Sequence, residues 1–401
     1  MVVKLDKIFD SATKNEIFKD KYMLQSNYTP QTIPHRDKEI EQVAAILAPA
    51  LKGERPSNLF VYGKTGCGKT LSVQYVKEEL LKRVKNSGVS LKIEYLNCKL
   101  RKVSDTEYRI LAEFIKKLGG KVPATGLPTD AVYNQFIEII DKEKQLLILV
   151  LDEVDQVVKK IAESNNFLYN LTRLNTELRN AQICLVGISN DLRFLDNLDP
   201  RVRSSLSEEE IVFQSYNALQ LQDILRERSE SAFHADVVGD GVIEKCAAFA
   251  AREHGDARRA LDLLRVAGEI AEREGSKKID LKHIDSANSK IERDKILDVI
   301  ESEPKQFQLT LLAMMELLEK SDKVFTGDVY RTYQDLCKKT RTEVLTQRRV
   351  SSIISEYDMQ GLINAKNVSR GTYGKTREIR SEIPKEIEQQ AKTALIEALS
   401  L

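Results

Sequence analysis

The chain of 401 residues carries 62 Lys and Arg against 61 Asp and Glu, with 42% hydrophobic and 31% charged residues. This is the composition of a soluble folded protein of two or three domains, and its near-zero net charge leaves only a local basic patch to bind nucleic acid. Five scattered cysteines without a Cys-x-x-Cys pair argue against a disulfide frame or a metal site. No apolar run nears the ~20 residues that span a bilayer and no signal-peptide core opens the chain, so the expectation is a cytoplasmic protein.

Residues 1–25 are polar and mixed, with one weakly amphipathic piece at Asn15-Glu16-Ile17-Phe18, and read as a loosely held arm. Tyr28-Thr29-Pro30 and Ile33-Pro34-His35-Arg36 then lead into a helix over 38–51 with one apolar face. Such a segment, with Tyr28, Pro30, His35 and Arg36, can lie over the purine of a nucleotide, or can simply be a capped helix start.

The decisive stretch comes next. Leu59-Phe60-Val61-Tyr62 is a β-prone run that feeds Gly63-Lys64-Thr65-Gly66-Cys67-Gly68-Lys69-Thr70, the spacing G-x-x-x-x-G-K-T, and Leu71 opens a helical pattern. Strand, loop and helix in this order form a phosphate-binding loop. Its glycines clear side chains from the path of a polyphosphate, so that successive N–H groups at a helix N-terminus can wrap it. Lys69 is placed for the β- and γ-phosphates and Thr70 for Mg²⁺, which predicts ATP or ADP with Mg²⁺ as the bound cofactors.

A second strand over 91–97, a helix over 106–118, a Gly/Pro-rich link and a helix over 130–141 follow. Leu146-Leu147-Ile148-Leu149-Val150-Leu151 has no alternation, which marks a strand buried on both faces in a parallel sheet. It ends in Asp152-Glu153. Beside a P-loop these are Walker B carboxylates, Asp152 for Mg²⁺ and Glu153 for the attacking water. A helix over 167–179 precedes another buried strand, Ile183 to Ser189, tipped by Asn190, whose amide can bond the γ-phosphate or the water. Leu198-Asp199-Pro200-Arg201-Val202-Arg203-Ser204-Ser205 then places arginines on a loop before a last strand, Glu210 to Phe213, where they can reach a neighbouring subunit's phosphoryl-transfer site.

From Tyr216, itself a candidate nucleotide contact, the chain turns all-helical and reads as a lid of three or four helices. There Gly255-Asp256-Ala257-Arg258 opens a helix with Asp256 as cap; Arg258 on its first turn can face the nucleotide or be a surface arginine. Beyond 295, three helices (306–320, 326–340 and 347–360) and a hairpin around Ser369-Arg370-Gly371-Thr372-Tyr373-Gly374-Lys375 follow the winged-helix plan. Between Gly361 and Arg380 stand five basic side chains (Lys366, Arg370, Lys375, Arg377 and Arg380) against Glu378. The helix before them begins Thr346-Gln347-Arg348-Arg349, chemistry suited to groove and phosphate contacts. A winged helix can equally dock protein, and the basic wing favours DNA. A helix over 385–399 ends the chain.

The P-loop, Asp152-Glu153, Asn190, Arg201 and Gly255-Asp256-Ala257-Arg258, in this order before a winged helix, resemble the AAA+ ATPases. More narrowly, Ile33 to Ile40, Asn58 to Gly63, Leu198 to Leu206 and Gly255 to Arg265 resemble the archaeal Orc/Cdc-six type replication initiators. The resemblance implies an α/β fold: an N-terminal arm (1–25), an AAA+ P-loop ATPase domain with a parallel sheet (26–215), a helical lid domain (216–294) and a C-terminal winged-helix domain (295–401). It makes Asn190 the sensor-1 residue, Arg258 the sensor-2 arginine and Arg201 the arginine finger, with Arg203 the alternative because Ser205 stands where some relatives carry the finger. It also implies a DNA-touching helical insertion around 102–118, to which Arg101, Lys102 and Arg109 would contribute. The implied partners are double-stranded origin DNA, an MCM-type replicative helicase and other copies of the protein, with slow hydrolysis of ATP serving as a switch on the chromosome. Two other readings stand beside it, a clamp-loader-like ATPase and a nucleotide-gated transcription regulator.

Overall fold

The computed structural model describes residues 17–401 apart from 26–27, 31, 100–106, 124–125, 161–163, 195, 197, 207 and 370–374. The chain forms two compact units, Met1–Ile284 and Asp285–Leu401.

The first unit is built on a parallel sheet. In chain order its elements are α1 (Asp37–Leu47), β1 (Asn58–Gly63), α2 (Lys69–Val84), β2 (Leu91–Asn97), α3 (Glu107–Lys117), α4 (Thr129–Ile140), β3 (Leu146–Asp152), α5 (Asp155–Lys160), α6 (Ser164–Arg173), β4 (Gln182–Ser189), α7 (Pro200–Leu206) and β5 (Glu208–Phe213). The strands lie in the order β2-β3-β4-β1-β5, all parallel. Every residue of β3 is buried. The pleat sends Leu147, Leu149 and Leu151 into a core on one face, with Phe60, Phe114 and Phe136, and Leu146, Ile148 and Val150 into a core on the other, with Val61, Val73 and Val186. This two-sided demand explains why β3 has no polar alternation. It also sets the C-terminal ends of β1, β3 and β4 side by side, where ligands of open α/β sheets bind.

Two local expectations change. The helix expected over 167–179 starts at Ser164 and stops at Arg173, followed by a short 3-10 turn. The Asp141 carboxylate accepts the backbone N–H groups of Arg179, Asn180 and Ala181 at 2.7–3.1 Å, so this stretch closes a turn into β4 instead. The loop expected around Pro200 is the helix α7, with proline at its first position, where the missing N–H costs nothing.

Helices α8 (Ala218–Ala232), α9 (Val242–Arg252) and α10 (Ala257–Arg273) complete this unit as a lid. Asn217 caps α8 in a reciprocal pair with Gln220 and Asp256 caps α10. The described part of the N-terminal arm, from Ile17, is not loosely held. Ile17 is fully buried, Lys19 N and Asp20 N donate to the Ala232 carbonyl (2.8 and 3.1 Å), and the Phe18 ring packs 5.0 Å from Phe233. Apolar Ile17-Phe18 meet Phe233 and His234 at the end of the lid helix α8, far along the chain.

The division between the units falls within α11 (Leu281–Ser302). The second unit continues with α12 (Lys305–Leu318), β6 (Val324–Phe325), α13 (Thr326–Lys339), α14 (Gln347–Met359), β7 (Ile363–Ser369), β8 (Lys375–Ser381) and α15 (Lys385–Leu399). The antiparallel sheet β6-β8-β7 adds a third strand, too short to show as a pattern in the sequence. Ile353, Ile354 and Tyr357 of α14 enter a core with Leu312, Tyr333 and Ile379. No helix among the described residues is long and apolar enough to cross a membrane.

Candidate nucleotide site and nucleic-acid interface

A cleft of about 370 Å³ opens at the ends of β1, β3 and β4 and under the lid, within the size range of small-ligand sites. Its walls include Tyr28, Pro30, Thr65, Gly66, Gly68, Lys69, Thr70, Leu71, Asp152, Glu153, Asn190, Tyr216 and Arg258. Lys69 is 5% exposed. Its ammonium donates to the carbonyls of Gly63 and Lys64 (both 2.8 Å) and to Asn190 Oδ1 (2.9 Å). Burial pulls its pKa below that of a free lysine, with Cys67 and Asp152 pulling it back. The Lys69–Asn190 bond joins the loops that follow β1 and β4 at one point.

The loop's shape depends on glycine. Gly68 has φ +92°, and a Cβ on it would stand 2.9 Å from the Tyr216 hydroxyl; one on Gly63 would stand 2.6 Å from the Phe213 carbonyl. Under the loop lies Arg36, almost fully buried, donating to the carbonyls of Cys67 (2.8 Å) and Gln214 (2.5 Å) with its guanidinium 4.0 Å over the Tyr216 ring.

Thr70 Oγ1 donates to Asp152 Oδ2 at 2.8 Å, and the Tyr95 hydroxyl donates to the same oxygen at 2.7 Å. Asp152 Oδ1 accepts from Glu153 N at 2.9 Å. A hydroxyl and a carboxylate so close, both on the cleft wall, are a hard-oxygen pair that fits Mg²⁺. Glu153 follows the strand with φ +54°, uncommon for a side-chain-bearing residue, and Lys99 Nζ lies 3.7 Å from its carboxylate. On the far side Ser189 Oγ donates to Asp155 Oδ1 at 3.2 Å, which anchors the β4 end that carries Asn190.

Several expected residues stand elsewhere. His35 and Arg36 do not line the cleft: positive φ (+61°) turns His35 to Asp223 (3.1 Å), while Arg36 braces the loop from behind. Gly63, Lys64 and Cys67 are loop backbone behind the wall, with the Cys67 thiol buried and the Lys64 ammonium 3.4 Å from His254. Arg201 is exposed, away from the cleft, and bound to Asp199 at 3.2 Å; Arg203 lies 3.4 Å from Asp196. Tyr95, Gln74, Ile224, Arg228 and Leu261 line the cleft without having been foreseen. Tyr95 was within reach, since parallel register puts it beside Val150, two places before the Asn97–Asp152 pair; for Arg228 the sequence carries no signal.

In the second unit Thr346 caps α14, its hydroxyl accepting from Arg349 N at 3.3 Å, and Gln347 and Arg348 are exposed on the first turn. Arg349 is drawn back to Glu356 (3.5 Å) and over the Phe307 ring (5.7 Å). Arg377, expected at DNA, reaches α14 instead, donating to Ser355 Oγ (2.5 Å) and the Ser351 carbonyl (3.3 Å). Lys375 opens β8 opposite Ser369. Arg370 and Gly371, and Arg101 and Lys102 of the expected insertion, lie outside the described residues. Arg109 is half-buried on α3, which is less a surface helix than part of the core: Ile110, Leu111, Phe114 and Ile115 are all buried.

Parallel sheet, P-loop, Walker B strand end and lid in one unit, with a winged helix after it, are the architecture of an AAA+ ATPase. Three family models match the chain: an AAA domain over residues 52–195, the Cdc6 AAA+ ATPase-type lid domain over 222–289 and the Cdc6 C-terminal winged-helix domain over 298–391. An ORC1-type DNA replication protein of Pyrococcus abyssi is 51% identical over 94% of this chain and 91% of its own. The Aeropyrum pernix ORC1 protein, solved in complex with DNA, matches with a TM-score of 0.85 and 43% identity over 95% of this chain and 97% of its own. The Pyrobaculum aerophilum Cdc6p structure shares the fold at a TM-score of 0.59 and 20% identity over 96% and 98%. The chain belongs to the ORC1/Cdc6 family of DNA replication proteins, within the AAA+ ATPases.

Proposed function

We propose that this protein is a replication initiator that binds double-stranded origin DNA through its winged helix and insertion, helps load an MCM-type helicase, and uses ATP and ADP with Mg²⁺ as a slow conformational switch. The base, lid and winged-helix domains would occupy 26–215, 216–294 and 295–401. The observation that carries the switch is that Lys69, Asn190 and the lid's Arg258 line one cleft. A γ-phosphate held by all three ties the lid to the base; its loss on hydrolysis frees Arg258. Such differential contacts are what a nucleotide needs in order to shift a conformational equilibrium.

Mg²⁺, held by Thr70 and, through water, by Asp152, would neutralise the phosphate oxygens. Lys69 holds the β- and γ-phosphates in register, Asn190 orients the water, and Glu153 takes its proton. Arg201, exposed on α7, is available to a neighbouring copy's nucleotide. DNA binding rests on the exposed start of α14 and on the relative from Aeropyrum pernix solved with DNA. On this reading the protein works on the chromosome.

The test is genome-wide footprinting of purified protein at one fixed salt concentration, with ATP and with ADP, against Arg348→Ala. A few sharp sites at inverted repeats, nucleotide-sensitive and weakened in the variant, are expected. Many promoter sites would favour a transcription regulator, and absence of sequence-specific sites a clamp-loader-like machine.

A further inference from the structure

Arg228, on the lid helix α8, is 9% exposed, and among the described residues the one hydrogen bond it makes is from Nη1 to the Met23 carbonyl at 3.4 Å, near the long limit for such a bond. Its guanidinium lies 4.3 Å over the Tyr28 ring. The neighbouring carboxylate, Glu227, makes no ion pair with it and instead accepts the Thr32 hydroxyl at 2.6 Å through Oε1. Burial pulls the Arg228 pKa below that of a free arginine. A guanidinium carries five N–H donors and stays charged, and the one long bond leaves most of Arg228's donors open to a partner in the cleft that the residue lines.

Arg228 also lines the nucleotide cleft, in company unlike that of the phosphate loop. Pro30, Ile33, Ile224 and Leu261 share that wall with Tyr28 and offer apolar and aromatic surface. Flat, apolar walls suit a base, whereas Lys69, Thr70 and Arg258 suit phosphates. We propose that Arg228 is a specificity-determining residue of the nucleotide site, its guanidinium donating to an acceptor on the nucleoside: a purine ring atom or a ribose oxygen. This rests on the nucleotide-binding reading of the same cleft. Tyr28 holds the guanidinium in the plane from which it donates, and the ligand supplies the acceptors that the protein withholds.

The experiment measures calorimetric binding of Mg²⁺ complexes of ATP, tripolyphosphate, 7-deaza-ATP and 2′-deoxy-ATP to wild type, Arg228→Met and Arg228→Lys. Methionine keeps the apolar stem, lysine keeps the charge, and unchanged melting temperatures show that both fold. Arg228→Met should weaken ATP about tenfold and leave tripolyphosphate within about twofold, with Arg228→Lys intermediate. The analogue that weakens wild type but costs the methionine variant nothing further names the acceptor, N7 or the 2′-hydroxyl. Equal loss for ATP and tripolyphosphate, or no loss for either, overturns the assignment. If wild type binds neither ligand, the nucleotide reading falls and takes this assignment with it; if wild type binds both and the variants do not differ, only the role of Arg228 falls.

Discussion

Gly66 of the phosphate loop and Asp256, the cap of lid helix α10, stand so close that a Cβ on Gly66 would lie 1.7 Å from Asp256 Oδ1. Ala257 N donates to the Gly66 carbonyl at 3.3 Å, so the first turn of α10 is seated on the loop that wraps the phosphates. The phosphate loop and the lid therefore meet at one contact.

Gly66→Ala tests this. The residue has φ +71°, where a side chain is strained, and its new methyl must displace Asp256. ATP affinity should fall at least about tenfold, and amide exchange at the start of α10 should quicken. Normal binding with unchanged exchange would show that the loop and the lid move independently.

Tyr95 and Thr70 both donate to Asp152 Oδ2. Tyr95→Phe removes one donor from the carboxylate proposed to hold Mg²⁺, and such outer contacts typically tune metal affinity by about tenfold or more. The Mg²⁺ concentration that half-saturates binding of a fluorescent ATP analogue should rise several-fold, with Mg²⁺-free binding unaltered. An unchanged Mg²⁺ titration would reduce Tyr95 to packing.

Glu153→Gln keeps the size of the side chain and removes the proposed base. Hydrolysis should drop by about 10²-fold or more, while ATP binding persists and the ATP-bound DNA footprint becomes long-lived. Hydrolysis at the wild-type rate would place the base elsewhere.

The two arginines of the winged helix should behave differently. Arg348 is exposed, whereas Arg377 is bound to Ser351 and Ser355 of α14. Losing a phosphate contact flattens the dependence of log affinity on log salt by about one. Arg348→Ala should flatten it; Arg377→Met should weaken binding at unchanged slope, as should Ser355→Ala. A flattened slope for Arg377→Met would return that residue to the phosphates.

Asp141, with three backbone N–H groups on its carboxylate, has its pKa held below the ordinary aspartate value, mainly by Ala181 N–H and then by those of Arg179 and Asn180. A depressed folded-state pKa contributes stability that is present above the unfolded value, about 3.9, and is lost as pH falls through the folded one. Wild type should melt above Asp141→Ala by a constant margin near neutral pH, and the margin should shrink in acid below about pH 4. A margin independent of pH would assign the effect to packing.

Some of this protein was settled locally. The P-loop, the Walker B strand and the helix cap Asp256 depend on neighbours a few residues away: phosphate wrapping needs glycine at set intervals, a strand buried on both faces needs unbroken apolar residues, and a cap acts over one turn. These features can be read from order alone. What depends on distant partners could not be read in that way. The docking of Ile17 and Phe18 on the lid, the turn of His35 toward Asp223, Arg377 crossing to α14 and the buried Arg228 over Tyr28 join residues with no shared periodicity. A side chain's role there follows from which acceptors and surfaces reach it, and only the tertiary structure decides that.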